Sequence, residues 1–123
     1  MSCITEPNNL GDLLKYEVSN LYSREQITVA KGQNLTLGTV VGLDKDNLIK
    51  ILNPAATDGT QTAIGVIAND VDAKAADAKA VIITRIALLA DHAVVWPPGI
   101  TEEQKTAAIK QLESRGIIIR KGV

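Results

Sequence analysis

The chain has few of the residue types that build catalytic and ligand-binding sites. Its 123 residues include one cysteine, one histidine, one tryptophan, two tyrosines and no phenylalanine. The single cysteine, Cys3, cannot form a disulfide within the chain, so the fold does not depend on an oxidising compartment. Because aromatic rings are so scarce, isoleucine, valine and leucine must fill the core, and their β-branched members favour strands.

An excess of charge of one sign is also missing. Lysine and arginine number 13 and aspartate and glutamate 14, giving a formal net charge of -1. Nucleic-acid binding requires basic charge that displaces counterions, and single-strand binders also need aromatic rings for stacking. The longest apolar stretch, 80–90, contains Thr84 and Arg85 and is too short to cross a bilayer, and no secretory signal pattern opens the chain. We therefore expect neither a nucleic-acid nor a membrane partner.

The titratable residues do not form a catalytic or metal-binding pattern. His92 is predicted to lie in a turn beside Asp91, and Cys3 has no activating cation nearby. A polar connector at 69–79 carries three aspartates, Asp70, Asp72 and Asp77. It lacks the turn glycine and the closing glutamate of an EF-hand. We predict no catalytic residue, no metal ligand and no cofactor.

Short apolar segments recur about every ten residues and predict a small domain rich in β-strands. Residues 44–47 form a predicted turn that joins two of these strands in a hairpin, and 31–34 is another predicted turn. Many short strands with one late helix indicate a small β-barrel or β-clip. The predicted strands are 26–30, 39–43, 48–52, 63–68, 81–89, 94–96 and 117–120.

One helix is well specified near the end of the chain. The sequence Trp96-Pro97-Pro98-Gly99 forms a corner at which we expect the tryptophan to be buried. Thr101 and Gln104 then have the spacing of a capping box. The helix is predicted over 102–115, and Gly116 suits the left-handed residue that follows it. The fold class predicted is mainly β with one C-terminal α-helix, in a single domain over 22–123.

The first 21 residues are predicted to form an extended N-terminal arm. Residues 1–12 are polar and without periodicity, whereas 13–18 and the following Leu21 and Tyr22 carry more apolar character. A flexible segment attached to a well-specified domain is typical of proteins that assemble with a partner. Whether the arm would bind as a strand or as a helix stays open.

Several fragments of the chain, in order and at consistent spacing, resemble the bacteriophage head decoration proteins, the lambda-type family that cements icosahedral capsids. The fragments are 22–25 (YSRE) with 27–29 (ITV), 37–42 (LGTVVG), 58–60 (DGT) with 63–66 (AIGV), 85–87 (RIA), 95–97 (VWP), and Leu112 with 116–117 (GI). The resemblance implies a β-clip-like domain that forms a homotrimer, with no enzymatic activity and no cofactor. It also implies that the arm becomes ordered against the major capsid protein.

The resemblance leads to a structural virion protein as the predicted function. A homotrimer would bind the outside of an icosahedral phage head and stabilise the capsid against the pressure of packed DNA, after synthesis in the bacterial host cytoplasm. From their apolar character, the arm residues expected to contact the capsid are Leu10, Leu13, Leu14, Tyr16, Val18 and Leu21. Two alternatives are a trimeric β-clip enzyme of the nucleotide-hydrolysing kind and a receptor-binding or glycan-binding protein.

Overall fold

A computed structural model of the protein describes residues 10–17 and 24–121. Within these residues the structure has ten strands, and the helix near the C-terminus is the only one longer than a single turn, which confirms the mainly β class. The elements in chain order are α1 (Leu10–Leu13), β1 (Leu14–Glu17), β2 (Arg24–Val29), β3 (Gln33–Leu35), β4 (Val40–Leu43), β5 (Ile49–Ile51), β6 (Gly65–Ile67), β7 (Val71–Ala73), β8 (Ala78–Ile83), β9 (Ala87–Ala90), a 3₁₀ turn (Asp91–Ala93), α2 (Glu102–Glu113) and β10 (Ile117–Arg120).

Five strands close into a barrel in the order β2-β5-β4-β6-β8. The longest seam joins β2 and β8, which pair antiparallel from Arg24 opposite Ile83 to Val29 opposite Ala78. A parallel contact between β2 and β5 completes the ring, and β4 and β5 form the hairpin that the sequence predicts. The pair β3 and β7 adds a separate two-stranded ribbon.

Neighbouring residues of the barrel strands belong to two different apolar clusters. Val41 and Ile82 belong to a barrel cluster that draws buried residues from all five barrel strands and from β3 and β7. Val40 and Ile83, next to them in sequence, belong to an outer cluster shared with β9, α2 and β10. Since successive side chains of a strand point to opposite faces, both faces of the barrel wall are covered by apolar packing. This two-sided burial explains why β4 (VVGL) and β6 (GVI) are continuous apolar runs without polar alternation.

Strand β9 is the centre of a second, three-stranded sheet. It pairs in parallel with β10 and antiparallel with β1, in the order β1-β9-β10. Helix α2 contributes Ala108 and Leu112 to the outer cluster, where they pack with Ile117 of β10. The outer cluster therefore lies among the barrel, this sheet and α2.

The structure confirms the predicted start of the late helix and ends it at Glu113, two residues before the predicted end. The Thr101 hydroxyl accepts from the Gln104 amide at 3.1 Å, and the Gln104 side chain accepts from the Thr101 amide at 3.0 Å, so both bonds of the capping box are present. Gly116 has a φ of 80° and leads directly into β10. Local signals alone were sufficient here because caps depend on residues close in sequence.

Two strand predictions were wrong in detail, and two strands were not predicted. The single strand predicted over 81–89 is two strands, β8 and β9, separated at Ile86, whose φ of 40° is left-handed. The strand predicted at 94–96 is reduced to one isolated bridge between Thr39 and Val95. Strands β3 and β7 lie where a turn and a polar connector were expected, because their pairing with each other supplies order that their composition does not.

Candidate functional site

Residues 10–17, here called the N-terminal unit, are packed against the rest of the protein. Leu13 is 0% exposed and belongs to the outer cluster, and Leu10 and Leu14 are partly buried against the same cluster. Helix α1 also contacts the 3₁₀ turn at Asp91–Ala93. Of the six residues predicted to contact a capsid, the structure thus places three within one apolar contact area of the protein itself.

The strand of the N-terminal unit forms one edge of the three-stranded sheet. Its pairing with β9 sets Leu14 opposite Leu89 and Tyr16 opposite Leu88, with a β-bulge between the two pairs. Within the described residues, no strand pairs with the other edge of β1. An open strand edge offers backbone amide and carbonyl groups to an additional strand. Two further predicted contact residues, Val18 and Leu21, lie outside the described residues.

The proline corner supports the helix and does not form a reactive site. Trp96 was expected to be buried but is only half-buried, and its ring packs against the outer cluster. The Nζ atom of Lys105 lies 5.5 Å from the centre of that ring, at the distance of a cation–π contact. Pro97 beside it is buried. The corner therefore joins the start of α2 to the outer cluster.

The three aspartates of the 69–79 connector each accept a hydrogen bond from a different backbone amide. Asp70 accepts from Leu37 at 2.8 Å, and Asp77 accepts from Lys31 at 2.7 Å. Asp72 accepts from the amide of Lys74 at 3.1 Å. In the described part of the chain, no three histidine, cysteine or acidic side chains form a group that could hold a metal ion. These carboxylates therefore have structural partners.

Two further aspartates stabilise the turn of the β4–β5 hairpin and the loop beyond β5. Asp44 is buried and accepts from the amides of Leu48 and Asp46, and Lys50 lies 3.2 Å away as an ion pair. The Leu48 amide bond, more than the other contacts, holds the pKa of Asp44 below its ordinary value. The Thr60 hydroxyl, which donates to Asp58 at 2.6 Å, likewise lowers the pKa of that carboxyl.

Of the two candidate catalytic groups, the structure describes only one. His92 is exposed in the 3₁₀ turn, and Cys3 lies outside the described residues. No helix among the described residues is both long and apolar enough to cross a membrane. What the fold and these side chains define is a small β-domain in which five aspartates bond the protein's own loops and turns and in which β1 lies at the edge of a sheet.

Comparison with known proteins identifies the class as that of the structural proteins of phage heads. The family model of bacteriophage lambda head decoration protein D matches residues 3–117, which is nearly the whole chain. The chain belongs to this family of head decoration proteins. No curated protein matches it.

Membership of the family determines the general role. The protein is a capsid decoration protein of a bacteriophage, with a structural function in the virion, and it binds the phage capsid. The family is structural and is not an enzyme family, so the nucleotide-hydrolysing alternative has no support.

Proposed function

We propose that the protein decorates the outer surface of an icosahedral phage head as a homotrimer and stabilises the shell against the pressure of packed DNA. The observation that carries this proposal is the family match across residues 3–117. In this proposal the chain is made in the bacterial host cytoplasm and joins heads through the major capsid protein. No enzymatic step is needed, because stabilisation results from added contact area between capsid subunits.

The proposed capsid contact is the N-terminal arm of residues 1–21. Its apolar side chains and the open edge of β1 are the two features that support this assignment. The side chains are Leu10, Leu13, Leu14, Tyr16, Val18 and Leu21. Since Leu13 is buried in the outer cluster, a capsid contact through Leu13 requires the N-terminal unit to leave that cluster. A contact through the β1 edge would leave Leu13 in place.

A homotrimer would multiply the strength of a weak contact at each arm. Once one arm is bound, the other two meet their sites at high effective concentration, so the trimer dissociates far more slowly than a single chain. Strand addition at β1 suits such repeated contacts, because it uses backbone hydrogen bonds and requires little of the partner's side chains.

The test is decoration of phage heads assembled without this protein. The full-length chain is expected to co-sediment with heads and to have the mass of a trimer, whereas a variant lacking residues 1–21 is expected to remain folded and to lose head binding. A second variant lacking only residues 1–9 retains Leu10, Leu13 and Leu14, and therefore the contacts of the N-terminal unit with the outer cluster. Decoration by the 1–21 deletion with unchanged affinity would exclude the arm as the contact.

A further inference from the structure

A shallow groove runs along α2 on the side facing the loop that follows β5. It consists of two adjoining depressions that share Pro54 and Gln104; Pro98 lies in the first, and Ala107 and Gln111 lie in the second. Gln104, Ala107 and Gln111 line the groove together because residues three, four and seven apart share one face of a helix. None of the residues lining either depression is charged.

Three glutamine side chains give this groove a defined polarity. In each of them the side-chain Oε1 accepts a hydrogen bond from a backbone amide: Gln61 from Gly59 at 2.8 Å, Gln104 from Thr101 at 3.0 Å and Gln111 from Ala63 at 2.8 Å. A backbone amide can only donate, so these contacts identify the oxygen of each side chain.

The Nε2 groups are the atoms that remain for a partner. None of the three has a hydrogen-bond acceptor among the described residues. Each Nε2 can donate two hydrogen bonds and accept none. The walls of the groove therefore offer donors without charge, above an apolar base that includes Leu52 and Ala108.

We propose that this groove binds an uncharged, extended segment of the major capsid protein, whose backbone carbonyl groups accept hydrogen bonds from the three glutamines. The inference rests on the proposed function and adds a second contact surface, on the body of the protein, to the arm. An anionic partner would be expected to meet a cation, and the groove has none. Gln104 and Gln111 are about 10 Å apart along the helix axis, a distance that roughly four residues of extended chain span.

The sharpest variant replaces the donors and keeps the internal bonds. The double substitution Gln104→Glu with Gln111→Glu retains an acceptor oxygen for the Thr101 and Ala63 amides. Glutamate is also the usual partner of threonine in a capping box, so α2 is expected to keep its first turn. The two Nε2 donors are lost, and carboxylate oxygens face the carbonyl groups of the partner instead.

The chain contains a matched control for this change. Gln33, in β3, accepts from the Ile51 amide at 3.1 Å through the same side-chain oxygen, and Gln26 is exposed on β2. Neither residue lines the groove. The control Gln26→Glu with Gln33→Glu therefore adds the same two charges at other positions. Both double variants are compared with the unaltered protein for melting temperature and for co-sedimentation with heads that lack the protein.

The double groove variant is expected to bind heads at least about tenfold more weakly, since two hydrogen bonds to the partner are lost, while the control stays within about twofold. Should the groove variant fail to fold, Ala107→Trp fills the exposed groove without changing a glutamine and is expected to cause the same loss. Equal binding by the groove variant and the control would overturn the inference and leave the proposed function intact. Failure of the unaltered protein to bind heads would overturn the proposed function itself.

The identity of the occupant is tested separately. A photo-crosslinking amino acid in place of Ala107 is expected to join the protein to the major capsid protein on decorated heads. A crosslink to a second copy of the chain would show that the groove is an interface between copies, and it would overturn the assignment to the capsid protein.

Discussion

Strand β9 is held on its two sides by segments that differ in how firmly their own sequences specify them. On one side, β10 pairs with it through four consecutive residues and follows α2, a helix of 12 residues with a complete capping box. On the other side, β1 pairs with a bulge and follows α1, a helix of four residues. Both sides nevertheless bury a leucine completely, Leu112 from α2 and Leu13 from α1.

The difference teaches that equal burial does not imply equal resistance to opening. Helix α2 combines a cap, favourable charge from Glu102 and Glu103 in its first turn, and an apolar face, so local and tertiary terms favour the same conformation. A single helical turn is unstable by itself, so α1 depends entirely on its tertiary contacts. We therefore expect the N-terminal unit to open without global unfolding, as segments that bind partners often do.

The largest effect is expected for Leu112→Ala. Its side chain is 0% exposed and joins α2 to the outer cluster, so truncation removes buried apolar contacts and leaves a cavity. We expect the free energy of unfolding to fall by about 3 kcal/mol or more. Urea unfolding followed by the fluorescence of Trp96 measures this value. A loss well below about 1 kcal/mol would mean that α2 and β10 resist unfolding no better than the N-terminal unit does.

A smaller loss, about 2 kcal/mol, is expected for Gly116→Ala at the junction of α2 and β10. The alanine would have to adopt a φ of 80°, and its Cβ would lie 3.2 Å from Cγ1 of Ile86. Gly99→Ala is the matched control, because its φ of 77° is similar and its Cβ would have no atom within 4 Å. The control isolates backbone strain, for which about 1 kcal/mol is expected. Equal losses in thermal unfolding would show that the contact with Ile86 contributes nothing.

Leu13→Ala tests the weaker side directly. Although Leu13 is as deeply buried as Leu112, we expect a global loss of only about 1 to 2 kcal/mol, because undocking of the N-terminal unit limits the cost. Hydrogen exchange read by mass spectrometry should show faster exchange for β1, with β10 unchanged. A loss equal to that of Leu112→Ala, with β1 and β10 exchanging together, would show that the two sides of β9 form one cooperative unit.

The sequence predicts the segment on the C-terminal side of β9, α2 and β10, better than it predicts the N-terminal unit. Thr101, Gln104 and Gly116 define the helix because caps are local, and the strand Ile117–Arg120 was predicted with the bounds that the structure has. For β1 the sequence predicts only part of an extended arm, although Leu14-Lys15-Tyr16-Glu17 alternates apolar and polar residues. Four alternating residues are too few for a firm assignment, and only the pairing with β9 settles it.

The groove beside α2 could not be predicted from the sequence. Gln104 and Gln111 can be placed on one helical face from their spacing, but the bond between Gln111 and the Ala63 amide joins residues 48 positions apart. Likewise, the break between β8 and β9 depends on Ile86, a residue type that rarely adopts a positive φ. Both features arise from long-range packing, which local patterns do not encode.

The smallest effect is expected for Thr101→Ala, which tests how much the N-terminal cap contributes to the stability of α2. The substitution removes the hydroxyl that accepts from the Gln104 amide at 3.1 Å and should lower the free energy of unfolding by about 1 kcal/mol. Thr106→Ala makes the same chemical change at an exposed position inside α2 and should be neutral or slightly stabilising, because alanine favours helix. Equal unfolding midpoints for the two variants in urea would indicate that packing alone holds α2 in place. The distinction from α1 would then rest on length and register, not on the cap.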